Sequence, residues 1–110
     1  MVFKVTYSEK ASDDLSDIIR YISYKLNSPQ AAERFFTKVL QKIEWLRENP
    51  YLFPLYHDEK LSADGYRFVV IGNYLLFYVI DDSNSDNGSS IVNIVRIIYN
   101  RRNIPTIIDE

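Results

Sequence analysis

The stretch Tyr66-Arg67-Phe68-Val69-Val70-Ile71-Gly72-Asn73-Tyr74-Leu75-Leu76-Phe77-Tyr78-Val79-Ile80 decides the fold. Two runs rich in β-branched and aromatic residues flank one dipeptide, Gly72-Asn73. Such runs favour extended backbone. A two-residue link with glycine first suits a type II′ turn, whose twist matches that of paired strands. The stretch therefore predicts a hairpin, residues 66–71 against 74–80. A third run, 91–99, follows a polar segment, 81–90, that reads as a mobile loop. Three consecutive strands predict an antiparallel meander.

Upstream the period changes. Residues 2–7 are short and β-rich and read as a first strand. Ser8 is placed to cap a helix, and Glu9, Asp13 and Asp14 suit the positive end of its dipole. Ala11, Leu15, Ile18, Ile22 and Leu26 then step by 4, 3, 4 and 4, one face of a helix of about 18 residues. Tyr21 and Tyr24 border that stripe. Asn27-Ser28-Pro29 breaks it, with Ser28 as a second cap and Pro29 in the first turn. Ala32, Phe35, Phe36, Val39, Ile43 and Leu46 form a second stripe, which runs out at Glu48-Asn49-Pro50. A core role accounts for Phe35, Phe36 and Trp45. Residues 50–65 read as an irregular loop, and the tail from about residue 104 as an extension of the last strand or a loose end.

The predicted order is β-α-α-β-β-β in one α+β domain spanning residues 1–110. A helical hairpin must bury its stripes on one face of the sheet. Nothing else in the pattern is left to cover the other face, which is expected to stay open.

The composition narrows the chemistry. The 110 residues are 46% hydrophobic, enough for a packed core. No cysteine is present, which excludes disulfides, Cys-based metal centres and a thiol nucleophile. His57 is the single histidine, in a loop with no partner by spacing, and reads as inert. The net charge of −2 weighs against non-specific coating of nucleic acid. There is no phosphate-binding glycine loop and no serine elbow. The neighbours Asp13/Asp14, Asp58/Glu59 and Asp81/Asp82 read as solvated. No apolar run approaches the roughly 20 residues that cross a bilayer. The first residues lack the apolar core of a signal peptide, so a cytoplasmic location is expected.

Charge is more informative locally than in sum. Residues 91–108 carry Arg96, Arg101 and Arg102 and no acid, whereas 81–90 carries three Asp and no base. Arg96 interrupts the apolar run 94–98, so it must be paired or face an open surface. Arg67 poses the same question on its strand. Two readings follow: ion pairs within the sheet, or a basic patch on the open face. Arg101 and Arg102, at the strand's end, have less structural reason to exist.

Four segments together resemble the RelE/ParE superfamily of toxins from type II toxin–antitoxin modules: 7–15, 45–50, 66–78 and the closing 94–104, which contains Arg96-Ile97-Ile98-Tyr99-Asn100-Arg101-Arg102. The resemblance covers residues 2 to about 104. It implies a small bacterial toxin without cofactor or metal, held in a hetero-oligomer by an antitoxin whose C-terminal segment wraps it. RelE-like members cut mRNA on the ribosome, using basic residues and often a tyrosine. ParE-like members poison DNA gyrase. The resemblance puts Leu75 where RelE-like sequences place the Arg of a Tyr-Arg pair, and Arg67 and Val69 where they place two lysines. Arg101 matches a functional arginine. An aliphatic residue at the Leu75 position and a closing arginine pair favour the ParE-like branch. In that branch Tyr99 replaces a histidine and Asn100 a glycine. Arg67, Arg96, Arg101 and Arg102, with Tyr66 and Tyr99, are then the candidate partner-binding residues. In the nuclease alternative, Arg67 and Arg101 bind phosphate and Tyr99 assists proton transfer. A decayed toxin that only binds antitoxin is the third reading.

Overall fold

The structure, a computed structural model, describes residues 3–82 and 90–108. Its elements are β1 (Lys4–Tyr7), α1 (Glu9–Arg20), a π-helical turn (Tyr21–Lys25), α2 (Pro29–Glu48), a 3₁₀ turn (Pro50–Leu52), α3 (Glu59–Ala63), β2 (Arg67–Ile71), β3 (Tyr74–Asp81), β4 (Ile91–Tyr99) and α4 (Ile104–Ile108). The four strands form one sheet in the order β1-β4-β3-β2. β1 pairs parallel with β4, and the other pairs are antiparallel. The α+β class and the β-α-α-β-β-β core match the sequence pattern. Residues 83–89 of the polar segment lie outside the described residues.

The hairpin turns where its glycine predicts. Ile71 pairs with Tyr74, and Gly72 takes φ +59, a value that costs a side chain strain. The caps also hold: Ser8 Oγ accepts from the Ala11 amide and Ser28 Oγ from the Ala31 amide. Alternation along β3 sorts its side chains onto two faces. Leu76 and Tyr78 join Val69, Ile71, Val92, Ile94 and Ile97 under the helices, packed on Ala11, Ile18, Ile22, Phe35, Val39, Ile43 and Leu46.

The first helix departs from expectation after Arg20. The Leu26 amide reaches back to the Tyr21 carbonyl, one residue further than α-helical geometry allows. This extra residue shifts the stripe, so Ile22 stays buried while Leu26 is 56% exposed. Asn27 ends the turn at φ +50, the left-handed conformation that asparagine tolerates. On α2, Phe36 and Trp45 lie beside the buried stripe and are exposed rather than core residues.

Part of the second face of the sheet is covered, where the sequence pattern implied an open one. The 50–65 segment is ordered by the 3₁₀ turn and α3, where Asp58 caps by accepting from the Leu61 amide. Together with α4 it lays a second core on Leu75, Phe77 and Ile98, built from Tyr56, Leu61 and Ile104. Apolar residues spaced too irregularly for a stripe supply this cover: Tyr56 stacks edge-on against Phe68 and Phe77. Val70, at the rim of that face, is half-exposed, and Lys4 and Asp81, beyond the second core, are exposed as well.

Candidate functional site

The site grows from a break in strand pairing. β1 ends at Tyr7, opposite Ile94, so among the described residues no strand pairs with the outer edge of β4 from Val95 onward. In the same place β4 bulges. Phe77 pairs with Arg96 and Tyr78 with Ile94, leaving Val95 without a partner. A bulge flips the faces on either side of it. It moves Ile97 to the helix side, and Arg96 to the register of the second face.

Helix α1 runs along this bare edge and answers it with polar groups. Ser8 donates its hydroxyl to the Val95 carbonyl at 2.7 Å. One Asp14 oxygen accepts both the Ile97 amide, at 2.9 Å, and Arg96 Nε, at 2.8 Å. The other accepts Arg96 Nη2 at 3.1 Å, while Nη1 reaches the Ile107 carbonyl of α4. Both side chains are largely buried. Asp14 is therefore not a solvated acid: it neutralises the arginine that the apolar run 94–98 cannot bury alone. Arg96 joins α1, β4 and α4 in one contact.

Beyond that pair a groove of about 750 Å³ opens between the end of α1, the π-helical turn and the end of β4. Ile18, Tyr21, Ile22 and Leu26 line one side; Tyr74, Ile98 and Tyr99 the other, with Arg102 at the end. Tyr74 and Tyr99 meet edge to face, their ring centres 5.6 Å apart. Burial raises the Tyr74 phenol pKa above its ordinary value, helped by Tyr21 and Tyr99 nearby. Tyr21, Leu26 and Tyr99 are exposed large apolar side chains. Such grouped apolar exposure marks binding surfaces.

The six candidate residues fall in separate places. Tyr99 and Arg102 line the groove, and exposed Arg101 adjoins them. Neither Arg101 nor Arg102 has a carboxylate partner among the described residues. Arg67 sits on the edge strand β2, four strand positions from the level of Tyr99. It pairs across from Tyr78, donates to the Phe53 carbonyl at 2.6 Å and lies 5.4 Å from the Tyr51 ring. Tyr66 exchanges backbone hydrogen bonds with Tyr56 and Leu61 and packs on the second core. His57 is exposed, against the Tyr56 ring. Asp14, Tyr21 and Tyr74 belong to the site and were not among the candidates. The signal for Asp14 was Arg96 itself, a charge in an apolar run that required a counterion. Among the described residues, no group of three or more His, Asp or Glu could hold a metal, and no helix could cross a membrane.

Two solved structures share the fold. One is described as the chromosomal ParDE TA system from P. aeruginosa: TM-score 0.66, 15% identity, covering 89% of this chain and 96% of that one. The other is the toxin–antitoxin complex RelBE2 from Mycobacterium tuberculosis: TM-score 0.57, 20% identity, covering 90% and 99%. No curated protein matches the chain. Residues 5–104 match the family described as the ParE toxin of the type II toxin–antitoxin system parDE. The chain thus belongs to the ParE family of type II toxins.

Proposed function

We propose that this toxin works by binding DNA gyrase in the cytoplasm rather than by cutting mRNA, and that a cognate antitoxin neutralises it. The observation that carries this reading is the separation of the residues a nuclease would need. Arg67 lies level with Tyr78 and Ile94, whereas Tyr99 lies level with Tyr74 and Ile71. Four strand positions at about 3.3 Å each put roughly 13 Å between those levels. A phosphate-binding arginine and a proton-transferring tyrosine must instead converge on one scissile phosphate within hydrogen-bond reach. Leu75, at the position of the RelE-like arginine, is buried in the second core, and Val69 in the first. Arg96 is committed to Asp14. What remains exposed together is an apolar, tyrosine-lined groove beside two arginines. That surface suits a protein partner, since aromatic and arginine side chains carry most interface energy.

The test uses purified components. With gyrase and supercoiled DNA the toxin is expected to accumulate cleaved gyrase–DNA complexes. With ribosomes and mRNA it is expected to leave the message intact. Cleavage of mRNA in the ribosomal A site, abolished by Arg101→Ala, would overturn the proposal in favour of the nuclease. Inactivity in both assays would favour a toxin reduced to antitoxin binding.

A further inference from the structure

Helix α2 carries a row of cations apart from the groove. Arg34, Lys38 and Lys42 follow each other at steps of four on one flank. At a rise of about 1.5 Å per residue they stand roughly 6 Å apart, and the row is roughly 12 Å long. Arg34 and Lys38 are exposed and Lys42 is partly exposed. None of the three lines the groove. The Lys42 ammonium lies 5.1 Å from the centre of the Trp45 ring, and Trp45 stacks on Phe53, whose carbonyl accepts Arg67 of β2. The row therefore ends on the β2 side of the sheet.

The fold gives this row no counterions. Like charges four residues apart on a helix repel and destabilise it, and acids at the same spacing relieve that. No position three or four residues from Arg34, Lys38 or Lys42 holds an acid. Gln30, Thr37 and Gln41 stand where partners would. Glu33 and Glu44 lie on another flank, where Glu44 pairs with Arg47. Among the described residues, no carboxylate pairs with any of the three.

The row fits a polyanion better than a protein. Lysine is depleted in protein interfaces, where aromatic and arginine anchors carry the binding. As a compact point charge it suits phosphate, and evenly spaced cations on a rigid helix suit an evenly charged backbone. A second copy of this chain would set lysine against lysine. Three contacts are few for a chain of net charge −2 to hold DNA by itself. They are enough to strengthen a grip made elsewhere, because the second contact is then intramolecular.

We infer that the Arg34–Lys38–Lys42 row rests on the phosphate backbone of the duplex DNA that gyrase holds, so that the toxin binds the gyrase–DNA complex more tightly than gyrase alone. This rests on the reading of the chain as a gyrase-binding toxin.

The probe is the intact toxin titrated against purified gyrase, alone or loaded with a linear DNA duplex, from about 50 to about 200 mM salt. At the low-salt end DNA is expected to raise the affinity at least ~10-fold. That gain should fall with salt at a log–log slope of about −2.7, roughly 0.9 for each of three phosphates. The combined substitutions Arg34→Gln, Lys38→Gln and Lys42→Gln should abolish the gain while leaving the far-UV spectrum and binding to DNA-free gyrase unchanged. A DNA-dependent gain that survives them would overturn the inference. So would equal weakening with and without DNA, which would make the row a protein contact. Tight binding to gyrase with no gain from DNA would overturn the inference yet leave the gyrase reading standing. No binding to gyrase in either form would overturn both.

Discussion

The Asp14 carboxylate grips the Arg96 guanidinium from two sides, at 2.8 and 3.1 Å, across the bare edge of β4. The same carboxylate holds the Ile97 amide, so it does for β4 what a neighbouring strand would do. Asp14→Ala would strand a largely buried cation and an amide together. Removing one partner of a buried pair costs about 3 kcal/mol. Asp14→Asn still accepts the amide and is expected to cost less. Asp14→Leu combined with Arg96→Met leaves the Ile97 amide and the Ile107 carbonyl without these partners but strands no charge, a loss of about 2 kcal/mol. Urea denaturation of the four proteins checks the order. A double variant less stable than either single one would refute it.

This pair also shows where sequence reasoning stops. The hairpin, the caps and the two helical stripes depend on neighbours within four residues, so local pattern reveals them. Gly72, Ser8 and Ser28 each do what their position predicts. The Asp14–Arg96 contact spans 82 residues, and only the isolated charge in 94–98 hinted at it. The second core was hidden for another reason. Tyr56, Leu61 and Ile104 come from three short segments with no period of their own, so no stripe announces them. The groove depends on a bulge at Val95 and an extra residue in the π-helical turn, neither of which has a fixed spelling.

Alkaline pH provides a probe of the first core. Burial pushes the Tyr78 phenol up to about 12, against a weaker opposing pull from Arg67. The hydroxyl donates to the Pro50 carbonyl at 2.6 Å. Its folded pKa exceeds its unfolded value near 10, so the folded state holds this proton more tightly. Its stabilising contribution is complete below pH 10 and is lost as pH rises toward 12, at up to about 1.4 kcal/mol per unit. Tyr7, Tyr56 and Tyr74, also raised chiefly by burial, add in the same direction. Tyr78→Phe is expected to cost about 1 kcal/mol at neutral pH, by leaving the Pro50 carbonyl unpaired. In return it should flatten the decline between pH 10 and 11. An equally steep decline in the variant would assign the effect to the other tyrosines.

The second core makes α4 structural. Ile104 is 2% exposed and packs with Leu75, Phe77 and Ile98. Ile104→Ala is expected to cost about 2 kcal/mol, the low end for a buried aliphatic truncation. Ending the chain after Asn103 removes Ile107 as well, and with it the carbonyl that Arg96 Nη1 reaches. That truncation should cost more and should increase binding of a hydrophobic dye. If it left stability and dye binding unchanged, α4 would contribute nothing to the cover over the sheet.

Arg101 and Arg67 separate the functional readings most sharply, because one follows the end of β4 and the other starts the edge strand β2, at a different level of the sheet. Arg101 is exposed and touches no described carboxylate, so Arg101→Ala should shift stability by less than about 0.5 kcal/mol. Arg67 supports the Phe53 carbonyl and the Tyr51 ring, so Arg67→Ala should cost about 1 kcal/mol. If the partner engages the groove end, gyrase inhibition falls at least ~10-fold in Arg101→Ala, the loss expected for one charged interface contact. Arg67→Ala, assayed well below its melting point, should inhibit like the parent. A nuclease would behave otherwise, since both arginines would bind one substrate and both substitutions would abolish cleavage. Titrating the two variants against gyrase supercoiling, with a parallel mRNA cleavage assay, distinguishes these patterns. Equal loss of gyrase inhibition in both would mean that the partner reaches from the groove to β2, and that the groove is only part of the contact.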